Sequence, residues 1–254
     1  MHQSFDPVPA ARRLAAAWRA DARLDELPAA ERPRDLAEGY AVQVALADEL
    51  GGIAGYKLGL SSAAAMARSG LGGPARGFMT GDRIKRSGAT LAPVAGPLLV
   101  EVEIAFVLAR DVPAGTRVAD PAGLVGDAHL AIEVVRSRFN DRIAVGLPSF
   151  LADSVGFHAL LLSDPLPGGV GSDLLGAPAE LLHDGTRVAG PLDGPERTDP
   201  LHAFKLFLDQ AAAANLPVAK GMIVTTGTLV AAYESDARGR YEARLGPASV
   251  SFTI

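Results

Sequence analysis

The chain has 254 residues, of which 48% are hydrophobic, and a formal net charge of −5. This length and apolar content suffice for one large domain, or for a main domain with a smaller helical one. The basic residues are scattered and aromatic residues are few, which excludes the basic stripe that nucleic-acid binding requires. We therefore expect a small-molecule partner and no nucleic acid.

Cysteine is absent, which excludes a disulfide framework and a thiol nucleophile and is compatible with a reducing cytoplasm. The first residues show no basic segment followed by an apolar core, so no secretory signal is predicted. No apolar run reaches the length of a transmembrane helix. We expect a cytoplasmic protein without membrane attachment.

Two helices are predicted at the N-terminus. The first spans about Val8–Leu24 and the second about Arg34–Leu50, where apolar residues recur at helical spacing and Gly51-Gly52 follows. Short strands punctuated by glycine replace this pattern afterwards. The sequence therefore predicts an N-terminal helical cap over residues 1–52 and a mixed β-sheet catalytic domain over residues 53–254.

The segment after the cap carries an isolated lysine. A strand is predicted over residues 53–60, and Ser61-Ser62 predicts the N-cap of a short helix that ends at Ser69. Lys57 stands among apolar and glycine residues, so either its alkyl chain extends to solvent or the glycines admit a ligand beside it. Residues 70–83 are glycine-rich and predict an active-site loop.

An acidic strand is the most informative part of the chain. In the run Val100–Leu108, Glu101 and Glu103 project to one face because side chains alternate along a strand. A second apolar run, Ala131–Val135, holds Glu133. The flanking residues predict burial on both faces, where like charges are costly. Either a cation compensates them, or they pair with arginines on a half-exposed face.

The available ligand atoms restrict the metal. Without cysteine, and with only five scattered histidines, the chain offers oxygen ligands, which favour Mg²⁺ or Mn²⁺ over softer metals.

The remaining elements are short and mostly strands. We predict a short helix from Asp120-Pro121, a helical piece at Pro148–Asp153, a strand at Val155–Leu162, a hairpin at Ala179–Val188, a helix at Asp199–Ala214, and strands at Met222–Val230 and Tyr241–Phe252. Strands dominate without regular βαβ alternation, which indicates an α+β fold, a mixed and mostly-β core with helices outside.

Four segments together carry a resemblance to a known family: Gly55–Ser62, Glu101–Phe106, Glu133–Arg138 and Gly221–Thr228. In this order, and with the closing Leu245–Phe252, they resemble the 2-keto-4-pentenoate hydratase and 4-oxalocrotonate decarboxylase family of the fumarylacetoacetate hydrolase superfamily. The resemblance covers nearly the whole chain. It implies a β roll of the fumarylacetoacetate hydrolase C-terminal type, a Mg²⁺ or Mn²⁺ ion, and 2-oxo acid substrates from the breakdown of aromatic compounds.

The resemblance also implies roles for individual residues. By motif position, the metal ligands are Glu101, Glu103 and Glu133, the catalytic candidates are Lys57, Asp82 and Asp153, and the substrate-binding candidates are Ser61, Ser62, Arg138 and Thr226. Asp82 serves as an acid or base, or it is a turn aspartate bonded to backbone. Asp153 helps to place Lys57 or a water, or it caps a helix.

Two positions depart from the family pattern. Where members commonly carry Ala-Asp-Asn-Ala-Ser, this chain reads Ala-Asp-Ser-Val-Gly over Ala152–Gly156, so the Asn and the following Ser are lost. Arg136 stands where the family usually has Asp. Both departures bear on the reaction more than on the fold.

The sequence thus predicts a metal-dependent lyase, a hydratase of a short 2-hydroxydienoate, with no Gly-x-Ser-x-Gly nucleophile motif. The alternatives are a 4-oxalocrotonate-type decarboxylase, an acylpyruvate-type C–C hydrolase, and a non-catalytic partner subunit of such an enzyme. We expect a homo-oligomer, alone or paired with a decarboxylase or hydratase.

Overall fold

The computed structural model describes residues 5–254, which form two β-sheets with helices around them. Within that range the α-helices are α1 (Val8–Arg19), α2 (Leu36–Glu49), α3 (Ala63–Ser69), α4 (Gly146–Ala152) and α5 (Pro200–Ala213). The strands are β1 (Gly55–Gly59), β2 (Ala75–Met79), β3 (Ile84–Arg86), β4 (Ala89–Thr90), β5 (Leu98–Leu108), β6 (Val125–Val135), β7 (Phe157–Pro165), β8 (Ala179–His183), β9 (Thr186–Ala189), β10 (Ile223–Thr228), β11 (Tyr233–Ser235), β12 (Arg240–Leu245) and β13 (Ala248–Thr253).

The two sheets are both mixed. The larger has the order β2-β1-β10-β5-β6-β7-β3, with β11 also paired to β5, and the smaller has the order β4-β13-β12-β8-β9. Most neighbours are antiparallel, while β1 with β10, β3 with β7 and β4 with β13 are parallel. The predicted α+β class is confirmed.

Strand β5 lies in the middle of the larger sheet and is packed on both faces. On one face, Val100, Ile104 and Phe106 are fully buried in the main core, which includes residues of α5 and of the smaller sheet. The ring centroids of Phe106 and Phe204 are 5.4 Å apart. The other face carries Glu101, Glu103 and the buried Ala105. The acidic side chains therefore lie beneath a second layer of structure.

That second layer is built in part by the N-terminal helices. Helix α2 begins at Leu36, where the Asp35 side chain accepts a hydrogen bond from the Glu38 amide. The predicted start at Arg34 lies within two residues of this position. The prediction for α1 was wrong at its C-terminal end, which lies at Arg19. Leu24 instead forms a β-bridge with Phe139, so tertiary pairing overrides helix propensity there. The division into a cap over 1–52 and a domain over 53–254 stays a prediction.

The predicted hairpin turn and the cap of α5 are observed, whereas the predicted loop over residues 70–83 is not entirely a loop. Asp184 and Gly185 adopt φ of 46° and 79° at the turn of the predicted hairpin, and Asp199 caps α5 through the His202 amide. The glycine-rich segment 70–83 is only partly a loop, because β2 forms within it and pairs with β1. Within residues 5–254, no helix is both long and apolar enough to cross a membrane.

Candidate metal centre and active site

The three predicted glutamates meet on one face of the larger sheet. In the antiparallel register of β5 and β6, Glu101 lies opposite Glu133, and Glu103 lies opposite the small residue Ala131. Each glutamate offers a carboxylate oxygen, and these oxygens lie within 4.8 Å of one another. Glu103 and Glu133 are buried, while Glu101 is partly accessible. The strand pairing therefore gathers the carboxylates that alternation alone placed on one face.

The cluster is electrostatically strained. Burial raises the pKa of Glu103 well above its usual range, and the charges of Glu133 and Glu101 raise it further. Burial also raises the pKa of Glu101 to about 7, although the charge of Lys57 opposes this. Like charges in a low-dielectric site destabilise the ionised form of each carboxylate. An added cation would relieve this repulsion.

Lys57 is buried beside the cluster and does not extend to solvent. The Lys57 Nζ atom lies 2.9 Å from Glu133 Oε1, and the lysine side chain is 2% exposed. Burial acts to lower the pKa of Lys57, but the three neighbouring carboxylates outweigh it and raise the pKa. The solvent-exposed alternative for Lys57 was therefore wrong. One lysine faces three carboxylates, so the cluster keeps an excess of negative charge when all are ionised.

Glycine is required beside the lysine. A Cβ atom at Gly77, which pairs with Lys57 across β1 and β2, would lie 2.4 Å from the Ser154 carbonyl oxygen and 3.0 Å from Lys57 Cγ. A larger residue at position 77 would consequently collide with the Lys57 side chain and the Ser154 backbone.

A bulge in β10 directs a backbone amide at the cluster. The register between β10 and β5 shifts between Thr225 and Thr228, and the Gly227 amide donates a hydrogen bond of 2.7 Å to Glu103 Oε2. Gly227 has φ of 106°, and a Cβ there would lie 1.7 Å from Ser61 Oγ. Only glycine therefore allows the backbone to reach the carboxylate at this position.

The donor set fits a divalent cation. Among residues 5–254, Glu103 Oε1 and Glu133 Oε2 are buried without a hydrogen-bond partner, which is costly unless something else binds them. Carboxylate oxygens are the ligands that Mg²⁺ and Mn²⁺ prefer. The residues that would hold the ion are Glu101, Glu103 and Glu133.

Asp153 and Arg138 form a separate ion pair. Both side chains are almost completely buried, and Arg138 Nε donates to Asp153 Oδ1. Asp153 also accepts hydrogen bonds from the Ser137 hydroxyl and the Arg138 amide, at 2.8 and 2.9 Å. Arg138 further donates to the Phe157 carbonyl at 2.7 Å and stacks over Trp18. These contacts bind the polar groups of both side chains and bring Arg138 against Trp18 of α1. The catalytic role of Asp153 stays a prediction.

The altered segment after Asp153 has an unusual backbone. Ser154, Val155 and Gly156 have φ of 51°, 52° and 73°, and a left-handed conformation is rare for a β-branched residue. The Ser154 hydroxyl donates a hydrogen bond of 2.8 Å to the Phe78 carbonyl oxygen. The Val155 Cγ1 atom packs against Gly59. In place of the Asn and Ser of the family pattern, this chain has Ser154, whose hydroxyl is bonded to the backbone, and Gly156, in a buried turn beside the Lys57 side chain.

The other predicted site residues make contacts of different kinds. The Ser61 hydroxyl bonds Thr198 at 3.1 Å next to Gly227, while Ser62 caps α3 through the Ala65 amide. The Thr226 hydroxyl donates to the Ile104 carbonyl. Asp82 lies exposed on a short 3₁₀ turn. The substrate and acid–base roles of these residues stay predictions.

Two neighbours of the cluster were not among the predicted site residues. Thr225 pairs with Ala105, so its hydroxyl lies on the face of Glu103, where it has no hydrogen-bond partner in the described part of the chain. Arg142 is near enough to lower the pKa of Glu101 against the effect of burial. A glycine within the Thr225–Thr228 strand signals a bulge, but nothing local signals Arg142.

Among known proteins, solved structures with the fold described above match this chain. No protein-family model matches the chain, and no curated protein matches it. Solved structures do match. The 4-oxalocrotonate decarboxylase from Pseudomonas putida G7, complexed with magnesium and adipate, aligns with a TM-score of 0.85 at 19% identity, covering 97% of this chain and 96% of that one. The same enzyme complexed with calcium and acetate gives a TM-score of 0.83.

A more distant match lies in the wider superfamily. A protein from Yersinia pestis CO92, named for the fumarylacetoacetate hydrolase family, aligns with a TM-score of 0.58 at 14% identity, over 78% of this chain and 91% of that one. The chain therefore has the α+β fold of this superfamily, as its motifs predicted.

Proposed function

We propose that this protein is a metal-dependent lyase that adds water to a short 2-hydroxydienoate or its 2-oxo tautomer, giving a 4-hydroxy-2-oxo acid. The observation that carries this proposal is the cluster of three glutamates next to one lysine, in which two of the glutamates have buried oxygens without a hydrogen-bond partner among the described residues. When bound there, Mg²⁺ or Mn²⁺ supplies positive charge that stabilises negative charge developing on the 2-oxo oxygen of a substrate.

The chain's own residues supply the remaining chemistry. Lys57 is held by Glu133 at 2.9 Å, and its pKa is raised by the carboxylates. With a divalent cation held by these glutamates, the pKa of Lys57 would be lower, and the Lys57 ammonium group would then give a proton to the carbon skeleton. Gly227 keeps Glu103 in place through its amide.

Hydration also requires a water at C4. The Thr225 hydroxyl is buried without a partner among residues 5–254 and lies on the same sheet face as Glu103, which suits it to orient a water or the substrate. Asp153 is committed to Arg138, so we assign no proton transfer to it.

A second candidate function is decarboxylation. It is favoured by the likeness to 4-oxalocrotonate decarboxylase over 97% of the chain, and it needs the same stabilisation of a developing enolate without a bound water. Hydrolysis of an acylpyruvate and a non-catalytic role are the further alternatives.

The test is product analysis in ¹⁸O-labelled water. Purified protein with Mg²⁺ and 2-hydroxypenta-2,4-dienoate should place label in the C4 hydroxyl group, which does not exchange with solvent as the 2-oxo oxygen does. Release of carbon dioxide from 4-oxalocrotonate without hydration would favour the second candidate. Magnesium binding without turnover of either compound or of an acylpyruvate would indicate the non-catalytic role.

Lys57→Met provides the mechanistic arm of this experiment. The variant should lose roughly 10²- to 10⁴-fold in turnover, the range of general acid–base catalysis, and should still bind Mg²⁺. Lys205→Met is the matched control, because Lys205 pairs with Asp209 on the exposed face of α5. Full activity in Lys57→Met would remove the lysine from the mechanism.

A further inference from the structure

A second cavity lies where the C-terminal ends of α1 and α2 meet the turn that follows β2. Its volume is about 330 Å³, and small-molecule sites commonly measure about 300–1,000 Å³. We call it the helix-end cavity. Its lining comes from three separate segments of the chain: Trp18 and Arg19, Glu49 and Leu50, and Thr80, Asp82 and Arg83. None of these residues belongs to the glutamate cluster or contributes to the chemistry proposed above.

Two arginines of this lining keep their charges available. The half-buried Arg83 has one nitrogen, Nη1, 3.0 Å from His158 Nδ1 and 3.2 Å from the His158 carbonyl oxygen. Its guanidinium carbon lies 4.6 Å from the centre of the Trp18 ring. The exposed Arg19 donates to the backbone carbonyl of Glu49. Within residues 5–254, neither arginine forms an ion pair with a carboxylate, so both can still bind an anion.

The acidic lining residues do not cancel these charges. Glu49 Oε1 lies 3.3 Å from Nε of Arg12, and the Asp82 side chain is exposed to solvent. Burial lowers the pKa of Arg83, and the charge of Arg138 lowers it further. The Arg83 charge is therefore poorly compensated within the protein, and an anion beside it would be stabilised.

A buried hydroxyl group is an independent sign of a ligand at the same place. Thr80 lines the cavity and is only 4% exposed. Its Oγ1 atom has no hydrogen-bond partner in the described part of the chain, and it does not cap the 3₁₀ turn that follows. An unbonded buried hydroxyl is costly. An acceptor atom in the cavity would remove that cost.

We propose that the helix-end cavity binds the oxyanion group of a small molecule, either a phosphate or a carboxylate. Arg83 and Thr80 donate to the oxyanion, and Arg19 adds charge at the rim. Guanidinium groups recognise both oxyanions through paired, charge-assisted hydrogen bonds. The cavity is larger than one oxyanion needs, so Trp18 and Leu50 contact the apolar part of the ligand. This site is separate from the proposed active site and does not depend on the proposed function.

Trp18 provides a direct readout, because it is the only tryptophan in the chain. Phosphate and acetate are titrated into the full chain without added metal, with chloride used to hold the ionic strength constant. One or both anions should change the tryptophan fluorescence saturably, with half-saturation at roughly millimolar concentration or below. The same anion should raise the midpoint of thermal unfolding, because it binds the folded chain. Comparison of the two titrations identifies the preferred oxyanion.

Two variants locate the binding. Thr80→Val keeps the size of the side chain and removes its hydroxyl, so it should weaken binding by roughly tenfold without lowering stability. Arg83→Gln should weaken binding by at least as much, because it removes the charged donor. The matched controls are Thr186→Val, at an exposed position of β9, and Arg244→Gln, at a surface pair with Glu242. Both controls should bind as the wild-type chain does.

Three results would overturn the proposal. The first is no saturable change in fluorescence or unfolding midpoint with either anion, or an equal change with chloride. The second is wild-type affinity in Thr80→Val, which tests the site even if Arg83→Gln fails to fold. The third is a loss of anion binding in Glu103→Gln, because it would place the anion at the glutamate cluster. None of these measurements requires turnover, so a failure of the proposed function would not change their outcome.

Discussion

Among residues 5–254, two ion pairs of a lysine or an arginine have both side chains buried, and they differ in how completely their polar atoms are hydrogen-bonded. In the Arg138–Asp153 pair, the carboxylate accepts from two side chains and one amide, and the guanidinium also bonds carbonyl oxygens. In the Lys57–Glu133 pair, one cation is shared by three carboxylates, two of which keep unbonded oxygens among the described residues. We call the first pair closed, because its polar atoms are all bonded within the protein, and expect it to stabilise the fold. We call the second open, because it keeps carboxylate oxygens that a ligand can bind.

The largest expected effect concerns the closed pair. Asp153→Asn should lower the free energy of unfolding by about 3–5 kcal/mol, because it leaves the Arg138 charge buried without its counter-ion. Urea denaturation measures this change. Asp82→Asn is the control, since Asp82 is exposed and should stay within about 0.5 kcal/mol of the wild-type protein. Equal stability of both variants would contradict the structural assignment of Asp153.

The same acid-to-amide change in the open cluster should not lower the free energy of unfolding. Glu103→Gln removes one of several repelling charges and keeps an oxygen that accepts from the Gly227 amide. In metal-free buffer the free energy of unfolding should stay unchanged or rise by about 1 kcal/mol. Denaturation under chelation checks this, and a loss as large as that of Asp153→Asn would show that the cluster is also structural.

The smallest effect is a pH dependence carried by His158. Burial, together with the charges of Arg83, Arg138 and Arg136, lowers the pKa of His158 from the usual 6.5 to about 3. The neutral ring lies 3.0 Å from an Arg83 nitrogen. The unfolded chain binds the proton more readily than the folded chain does. The contribution of His158 to the free energy of unfolding is therefore complete above pH 6.5 and is lost as the pH falls towards 3.

His158→Gln should therefore flatten the loss of stability between pH 6.5 and pH 4. The difference in slope should not exceed about 1.4 kcal/mol per pH unit, the value for one proton, and residual solvent contact reduces it. Urea denaturation at several pH values measures the slope. His202→Gln is the control, because His202 lies exposed on α5. Identical slopes in the His158 variant and the wild-type protein would contradict a buried neutral histidine.

These contrasts also explain which features the sequence could predict. Alternation along β5 places Glu101 and Glu103 on one face, and the apolar flanks predict their burial, so the acidic centre follows from local pattern. Local signals likewise predict the cap of α5 at Asp199 and the turn at Asp184.

The remainder depends on pairing between distant segments. The register of β10 against β5 places Thr225 on the acidic face, and the bridge of Leu24 to Phe139 ends α1 early. The commitment of Asp153 to Arg138, and the approach of Arg142 to Glu101, arise only when α4 and the turn before it fold onto the sheet. No local propensity encodes such contacts.

The central claim is that the open cluster binds a divalent cation, and calorimetric titration of Mg²⁺ tests it most directly. The wild-type chain should bind one ion, and Glu103→Gln should weaken binding by more than roughly tenfold, since even outer-shell partners change metal affinity by 10- to 100-fold. Glu180→Gln, at a surface pair with Arg187, should bind as the wild-type chain does. Wild-type affinity in Glu103→Gln, or no binding to the wild-type chain at all, would contradict the account.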